Sequence, residues 1–367
     1  MTRETLVFIG TYTRGSAPDG SHSEGIYAFR LNTSAAALEL LSVAGGVVNP
    51  SFVAIHPSQR YLYSVSEIGG DNGDRAGGIA AFHLDTISGK LDLLNIESTR
   101  GNGPCHLSID LSGHYVLAAN YGSGSLVVLP ILENGRVGPA TSFVQNAGSG
   151  PNPRRQEGPH AHSIYPVPGT NLVLANDLGI DKVLIFRFDE TTGRLIPNDP
   201  PSAPARPGAG PRHLAIDGQR RHVYVVNELA STVAVYRLDP EHGVLTPGEV
   251  VSTLPAGFTG DTTCAEVQLS PDGRFLYASN RGHDSLAVFR VDAEGDHLTP
   301  VGHIPTRGRT PRNFGIHPDG QWLIVANQQT SDLFTFRREQ QTGFPVGEPI
   351  RTAVPQPVCV KFLVQSA

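Results

Sequence analysis

The sequence predicts an all-β protein, a ring of seven four-stranded antiparallel sheets. Three observations carry that reading. One apolar pattern occurs seven times, its copies are spaced near 50 residues, and the two ends of the chain carry complementary parts of one repeat.

The first pattern ends in an aromatic residue or leucine. Its copies are Ile26-Tyr-Ala-Phe29, Ile79-Ala-Ala-Phe82, Leu126-Val-Val-Leu129, Val183-Leu-Ile-Phe186, Val233-Ala-Val-Tyr236, Leu286-Ala-Val-Phe289 and Leu333-Phe-Thr-Phe336, with starts 53, 47, 57, 50, 53 and 47 residues apart. A second apolar run, closing on asparagine, precedes most copies, as in Tyr115 to Asn120, Asn171 to Asn176, His222 to Asn227, Phe275 to Asn280 and Trp322 to Asn327. Tyr61 to Ser66 is a weaker copy and Leu6 to Gly10 a truncated one. Turns such as Pro271-Asp-Gly-Arg274 and Pro318-Asp-Gly-Gln321 lead into it. Proline presets one torsion there and glycine accepts positive φ.

A third run lies before that turn: Ser51 to Ile55, Cys105 to Ile109, Ala161 to Ile164, Arg212 to Ile216, Ala265 to Leu269, Arg312 to Ile316 and Val358 to Phe362. After the aromatic strand, Gly89-Lys-Leu91, Gly193-Arg-Leu195 and Gly243-Val-Leu245 turn into a fourth strand. Four short strands per unit and seven units describe a seven-bladed β-propeller, with residues 1–367 as one domain. The chain begins on a second strand, Leu6 to Gly10, and ends on a first strand, Val358 to Phe362. The two fragments are expected to pair and close the ring, leaving no exposed sheet edge.

Composition narrows the function. Glycine (41) and proline (29) are spread along all 367 residues, as many short strands require. Charged residues are 17% and the net charge is -6, with no basic stripe, so nucleic acid is an unfavourable partner. Cys105, Cys264 and Cys359 are too scattered for a disulfide framework or a structural zinc site. The N-terminal run Leu6 to Ile9 is too short for a signal-peptide core, and no stretch is long enough to span a membrane. A cytoplasmic protein without a membrane partner is expected, as a monomer or weak homo-oligomer.

In a propeller the first strands line the central channel. Stacking them gives one column, Phe52, His106, His162, His213, Glu266, Asn313 and Cys359, with Arg212 and Arg312 beside it. The turns after the second strands add Glu67, Asp177, Glu228, Arg281 and Gln328. Histidines, carboxylates and arginines from distant parts of the chain thus converge on one funnel, the pattern of an active site. No cofactor or metal is expected, because arginines beside the site would repel a divalent cation.

Several segments resemble the seven-bladed lactonase family: Gly210-Pro-Arg-His213, Val226-Asn-Glu-Leu229, Gly257-Phe-Thr-Gly-Asp261, Ser279-Asn-Arg-Gly282, Gly103-Pro-Cys-His106, His160-Ala-His162 and Thr310-Pro-Arg-Asn313. The resemblance covers essentially the whole chain. That family contains propeller-type 6-phosphogluconolactonases, which serve the pentose phosphate pathway, and carboxy-cis,cis-muconate cyclases. The resemblance implies a catalytic core of His162, Arg212, Glu228 and Arg281, with Arg312 and His160 in matching segments, and the stacked column adds His106, His213, Glu266 and Asn313 as further substrate-binding candidates. After Asp261-Thr262 the chain has Thr263-Cys264, where some members carry arginine and tryptophan.

The expected activity is hydrolysis of an anionic sugar lactone such as 6-phosphogluconolactone. The alternatives are a muconate-lactonising enzyme and a non-catalytic binding propeller. Lactone opening needs an activated water, for which His162 or Glu228 would be the base, with His106 and His213 next in line. It also needs a stabilised oxyanion, assigned to Arg212, and a grip on the phosphate, assigned to Arg281 and Arg312. Glu228 has a second expectation, a simple ion pair with Arg212 joining two blades.

Overall fold

A Pro-Asp-Gly turn between two apolar runs has one economical outcome, an antiparallel hairpin. Gly273 and Gly320, at φ 70° and 75°, supply the left-handed position in two of these turns. A computed structural model describes residues 4–15, 18, 20–69, 77–219 and 221–365. Among them seven sheets of four strands form, each a meander of antiparallel neighbours. The inner strands are Val53–Ile55, Pro104–Ile109, Ala161–Pro166, Pro211–Ile216, Thr263–Leu269, Pro311–Ile316 and Pro357–Val364. Each touches the next, and the last touches the first, so they encircle one axis.

Ring closure is as the termini suggested. Pro357–Val364 pairs antiparallel with Thr5–Thr11, from Thr5 opposite Val364 to Gly10 opposite Cys359, and forms the inner strand of the blade that Thr5–Thr11 begins. The apolar faces of neighbouring blades pack against each other. Leu117, Ala119, Leu126 and Val128 of one blade meet Ile164, Val173, Ala175, Phe186 and Leu195 of the next. Full burial stabilises each large apolar side chain by about 1.5–3 kcal/mol. Tyrosines clasp adjacent blades, with Tyr63, Tyr224 and Tyr277 donating to the carbonyls of Gly135, Gly295 and Gly343 at 2.9, 2.9 and 2.6 Å.

The asparagines that end the second strands are latches. Asn120 and Asn227 donate to Ser125 and Thr232, which open the third strand. Asn280 and Asn327 donate to the carbonyls of Thr253 and Thr306 in the segment arriving from the preceding blade. These amides satisfy buried backbone and hydroxyl groups where the chain turns around the funnel mouth.

One irregularity positions the site. In six of the seven blades the register between inner and second strand slips at the funnel end: at Pro104/His106, Ala161/Ser163, Pro211/His213, Cys264/Val267, Pro311/Asn313 and Gly10/Thr11. A bulge re-aims side chains, so two consecutive residues can face the axis where a regular strand would present one. The bulged residues include Cys105, His162, Arg212 and Arg312. The stacked column therefore needs a correction: His162 stands in the layer of Arg212 and Arg312, while Ser163 occupies the place matched to His106 and His213. Ser163 spends its hydroxyl on the carbonyl of Arg212, at 2.6 Å.

Candidate active site

The funnel narrows to a small pocket of about 10 Å³ lined by Tyr12, Ser51, Phe52, Glu67, Cys105, His162, Arg212, His213, Arg312, Asn313 and Val358. Bulged inner strands supply Cys105, His162, Arg212, Arg312 and Val358. The last residues of second strands and the turns beyond them supply Glu67 directly, and bring Glu228 and Arg281 against Arg212.

Glu228 is the electrostatic centre. Its Oε2 accepts from Nε of Arg212 at 2.9 Å and pairs with Nη2 of Arg281 at 3.0 Å, while Oε1 pairs with Nη2 of Arg155 at 2.6 Å. Nε2 of His162 stands 4.0 Å from Oε2. Burial alone would raise the Glu228 carboxyl, but Arg281, Arg212 and Arg155 outweigh it and hold the group at about 2. Such a carboxylate has too little proton affinity to act as the base at neutral pH, which corrects that half of the sequence assignment. The ion pair with Arg212 is present, but it lies within one blade rather than joining two, and it is one arm of a three-arginine clamp.

Arg212 also donates to the carbonyl of Ala265, and Arg281 to that of Cys264 at 2.8 Å, so both guanidiniums are fixed in place. On the far wall Arg312 donates to the Tyr12 hydroxyl at 3.0 Å, and Tyr12 donates to Oε1 of Glu67 at 3.1 Å. Ser51 donates to Oε2 of the same carboxylate. Burial raises the Glu67 carboxyl, against the pull of Arg312. Burial likewise pushes His162 and His213 well below the usual histidine range, with Arg212 adding to it, so both imidazoles are neutral at pH 7.

A second tier lies beneath. Glu266 accepts from the backbone N–H of Val267 at 2.9 Å, from the amide of Asn313, and faces Nδ1 of His213 at 3.2 Å. Burial raises Glu266 to about 7 against the opposing charge of Lys361. His106 accepts from the N–H of Ile164 at 3.3 Å and packs between Phe52 and Tyr165. His106 and Glu266 thus sit under the pocket rather than on its wall, and Asn313 spends both ends of its amide on Glu266 and the N–H of Val360.

Two positions read as funnel residues belong elsewhere. Asp177 is wholly buried, accepts from Asn146 and from the N–H groups of His160 and Gly179, and caps a short turn. His160 stacks on Tyr121, with Nδ1 on the Tyr121 carbonyl and Nε2 beside Glu157, and does not line the pocket. Sequence reasoning missed Tyr12 and Arg155. The 57-residue interval, the longest of the set, was the available signal for Arg155: the extra length is the segment 146–160 that carries it to Glu228.

Among the described residues no group of three or more histidine, cysteine, aspartate or glutamate side chains is arranged to hold a metal ion. A larger cavity of about 520 Å³, at the opposite ends of the strands around Asp217, Asp272 and Asp292, contains none of these histidines and only the surface arginine Arg274.

Comparison with known proteins identifies the family. The chain is 38% identical over 358 residues to a 6-phosphogluconolactonase of Bacillus subtilis, with 98% of each chain covered. It is 33% identical to a 6-phosphogluconolactonase of Formosa agariphila, covering 92% of this chain and 93% of the other. The solved periplasmic gluconolactonase of Pseudomonas aeruginosa superposes with a TM-score of 0.90 at 33% identity, over 98% and 99% of the two chains. Residues 6–362 match the family described as "Lactonase, 7-bladed beta-propeller", and the chain belongs to it.

Proposed function

We propose that this lactonase opens 6-phosphogluconolactone to 6-phosphogluconate, with the funnel as its active site. The observation that carries the substrate class is the charge balance there. Arg212 and Arg312 line the pocket with Glu67, and Arg155 and Arg281 join Arg212 on Glu228 beside it, so four arginines stand against two carboxylates. Arginine forks match phosphate and carboxylate oxygens two at a time. Arg155, Arg281 and Arg312 would hold the phosphate, and Arg212 would face the lactone carbonyl. A guanidinium stabilises the developing oxyanion there without risk of losing its charge. Glu228 keeps three guanidiniums aimed at one place before substrate arrives, so little reorganisation is left for the reaction.

The water that attacks the carbonyl must lose a proton. Two neutral imidazoles line the pocket, His162 and His213, and each has the chemistry for it. No helix among the described residues is long and apolar enough to cross a membrane. The three cysteines are free and buried, which suits the reducing cytoplasm we propose as the compartment. A closed ring needs no partner to complete its sheets, and we take the working unit to be the monomer.

The test is a direct assay of the purified protein on 6-phosphoglucono-δ-lactone and on plain glucono-δ-lactone, corrected for spontaneous opening. Faster turnover of the phosphorylated lactone supports the reading. Equal rates remove the phosphate from it, and no acceleration of either lactone overturns it.

A further inference from the structure

The two histidines of the pocket are held differently. Nε2 of His162 faces the ionised Glu228 at 4.0 Å, and its Nδ1 lies 3.7 Å from the Cys105 thiol. The separation from Glu228 is too long for a hydrogen bond, and Oε2 of Glu228 is already taken by Arg212 and Arg281, so Glu228 does not fix which nitrogen of His162 carries the proton. His213 does have a carboxylate in reach. Its Nδ1 faces Oε2 of Glu266 at 3.2 Å, and that carboxyl is itself anchored by Asn313 and the N–H of Val267. Its Nε2 is buried and has no hydrogen-bond partner. A buried imidazole nitrogen left without a partner costs stability, and is kept where a function needs its lone pair free. His213 also lines the pocket and directly follows Arg212, both brought to the axis by one bulge.

We infer that His213 is the general base of lactone opening and that Glu266 is its positioning residue. This rests on the lactonase reading above and assigns a role within it. With Glu266 ionised, Nδ1–H of His213 donates to it, which leaves the Nε2 lone pair to accept a proton from water. As the water oxygen bonds to the carbonyl carbon, its proton passes to Nε2 and the carbonyl oxygen becomes an oxyanion beside Arg212. Collapse breaks the ring C–O bond, and Nε2–H returns the proton to the departing alkoxide. The free acid formed then ionises, so one lactone and one water become one hydroxy-carboxylate and one proton, with no co-reactant. His162 has no carboxylate in hydrogen-bond reach to orient it, which is why the base is assigned to His213.

The experiment has a kinetic and a spectroscopic arm. His213→Ala should lower kcat by about 10²- to 10⁴-fold with KM changed far less, and added imidazole should restore part of the loss. Glu266→Gln should lower kcat less, also with little change in KM. Nitrogen-15 NMR of the wild-type imidazoles, with His213 identified by the signals missing from His213→Gln, should show Nδ1 protonated and Nε2 bare. In Glu266→Gln that tautomer preference should weaken. A His213→Ala enzyme within threefold of wild-type kcat, or an Nε2-protonated His213 in the wild type, overturns the assignment while an active wild type keeps the lactonase reading. If the wild type accelerates no lactone, both fall. If His213→Ala fails to fold, the tautomer decides.

Discussion

Nε of Arg212 donates to Oε2 of Glu228 at 2.9 Å, with both side chains almost wholly removed from water. The bond joins two strands of one blade, and through Arg281 and Arg155 the same carboxylate ties in the next blade and the 146–160 segment. Removing the carboxylate would leave three guanidiniums facing one another. Glu228→Gln is expected to destabilise the protein by about 3–5 kcal/mol at pH 7, read by urea unfolding. The folded carboxyl is depressed from 4.5 to about 2, so its contribution is complete above pH 4.5 and fades as pH falls toward 2. The deficit of the variant should shrink over that window, and a deficit equally large at pH 3 contradicts the clamp.

Arginines with different partners should divide their labour. Arg212→Ala removes the donor proposed for the carbonyl oxygen, a group that every lactone possesses. It should lower kcat on phosphorylated and plain lactones alike, by about two to three orders of magnitude. Arg155 is 37% exposed at the funnel mouth, and Arg155→Ala should raise KM for the phosphorylated lactone and leave the plain one nearly unchanged. Arg312→Ala should do the same, with lysine restoring only part of the affinity because it lacks the fork. Identical losses on both substrates for all three variants would place the phosphate elsewhere.

Glu266 titrates in the opposite sense to Glu228. Burial lifts it from 4.5 to about 7, so the folded protein takes up a proton that the unfolded chain releases between those values. Its contribution to stability is whole below pH 4.5 and is lost as pH rises through 7. Glu266→Gln should therefore gain on the wild type in thermal melts from pH 4.5 to 7 and run parallel above that. A difference independent of pH would mean that the carboxyl is not protonated there.

Turnover should survive exhaustive dialysis against a chelator. The proposed mechanism puts Arg212 where a Lewis acid would otherwise polarise the carbonyl, and the described residues offer no cluster of metal-ligating side chains. Loss of activity that calcium or zinc restores would refute the arginine mechanism.

Ring closure can be cut at one point. Deleting residues 358–367 strips Thr5–Thr11 of its inner neighbour and exposes that edge. The truncated chain should be recovered as aggregate. A soluble product with wild-type melting behaviour would show that the pairing contributes little.

Much of this is legible in the sequence. The blade count, the strand order and the closing strand follow from the repeat, because each copy must bury the same faces against the next. His162, Arg212, Glu228 and Arg281 were legible as a group, since inner strands and the turns beside them converge on the axis. The bulges were not. A strand read with strict alternation cannot present both Arg212 and His213, and the slip that permits it leaves no mark beyond a proline before Arg212, Arg312 and Cys105. For the same reason His162 was stacked one layer too deep. Asp177 was misread because its neighbours Asn146 and the His160 amide come from other parts of the chain. Arg155 was invisible to the repeat because it lies in the one long departure from it.

The strand that completes the first blade is made roughly 350 residues after the strand it completes. At about 5–20 residues per second, Thr5–Thr11 waits some 20–70 s after synthesis for Pro357–Val364 to arrive. The six intervening blades can assemble on the ribosome as they emerge, while the oldest segment keeps an apolar strand open on one side. That delay makes the beginning of the chain the place where a holding chaperone has most to protect, and where two nascent copies could exchange strands.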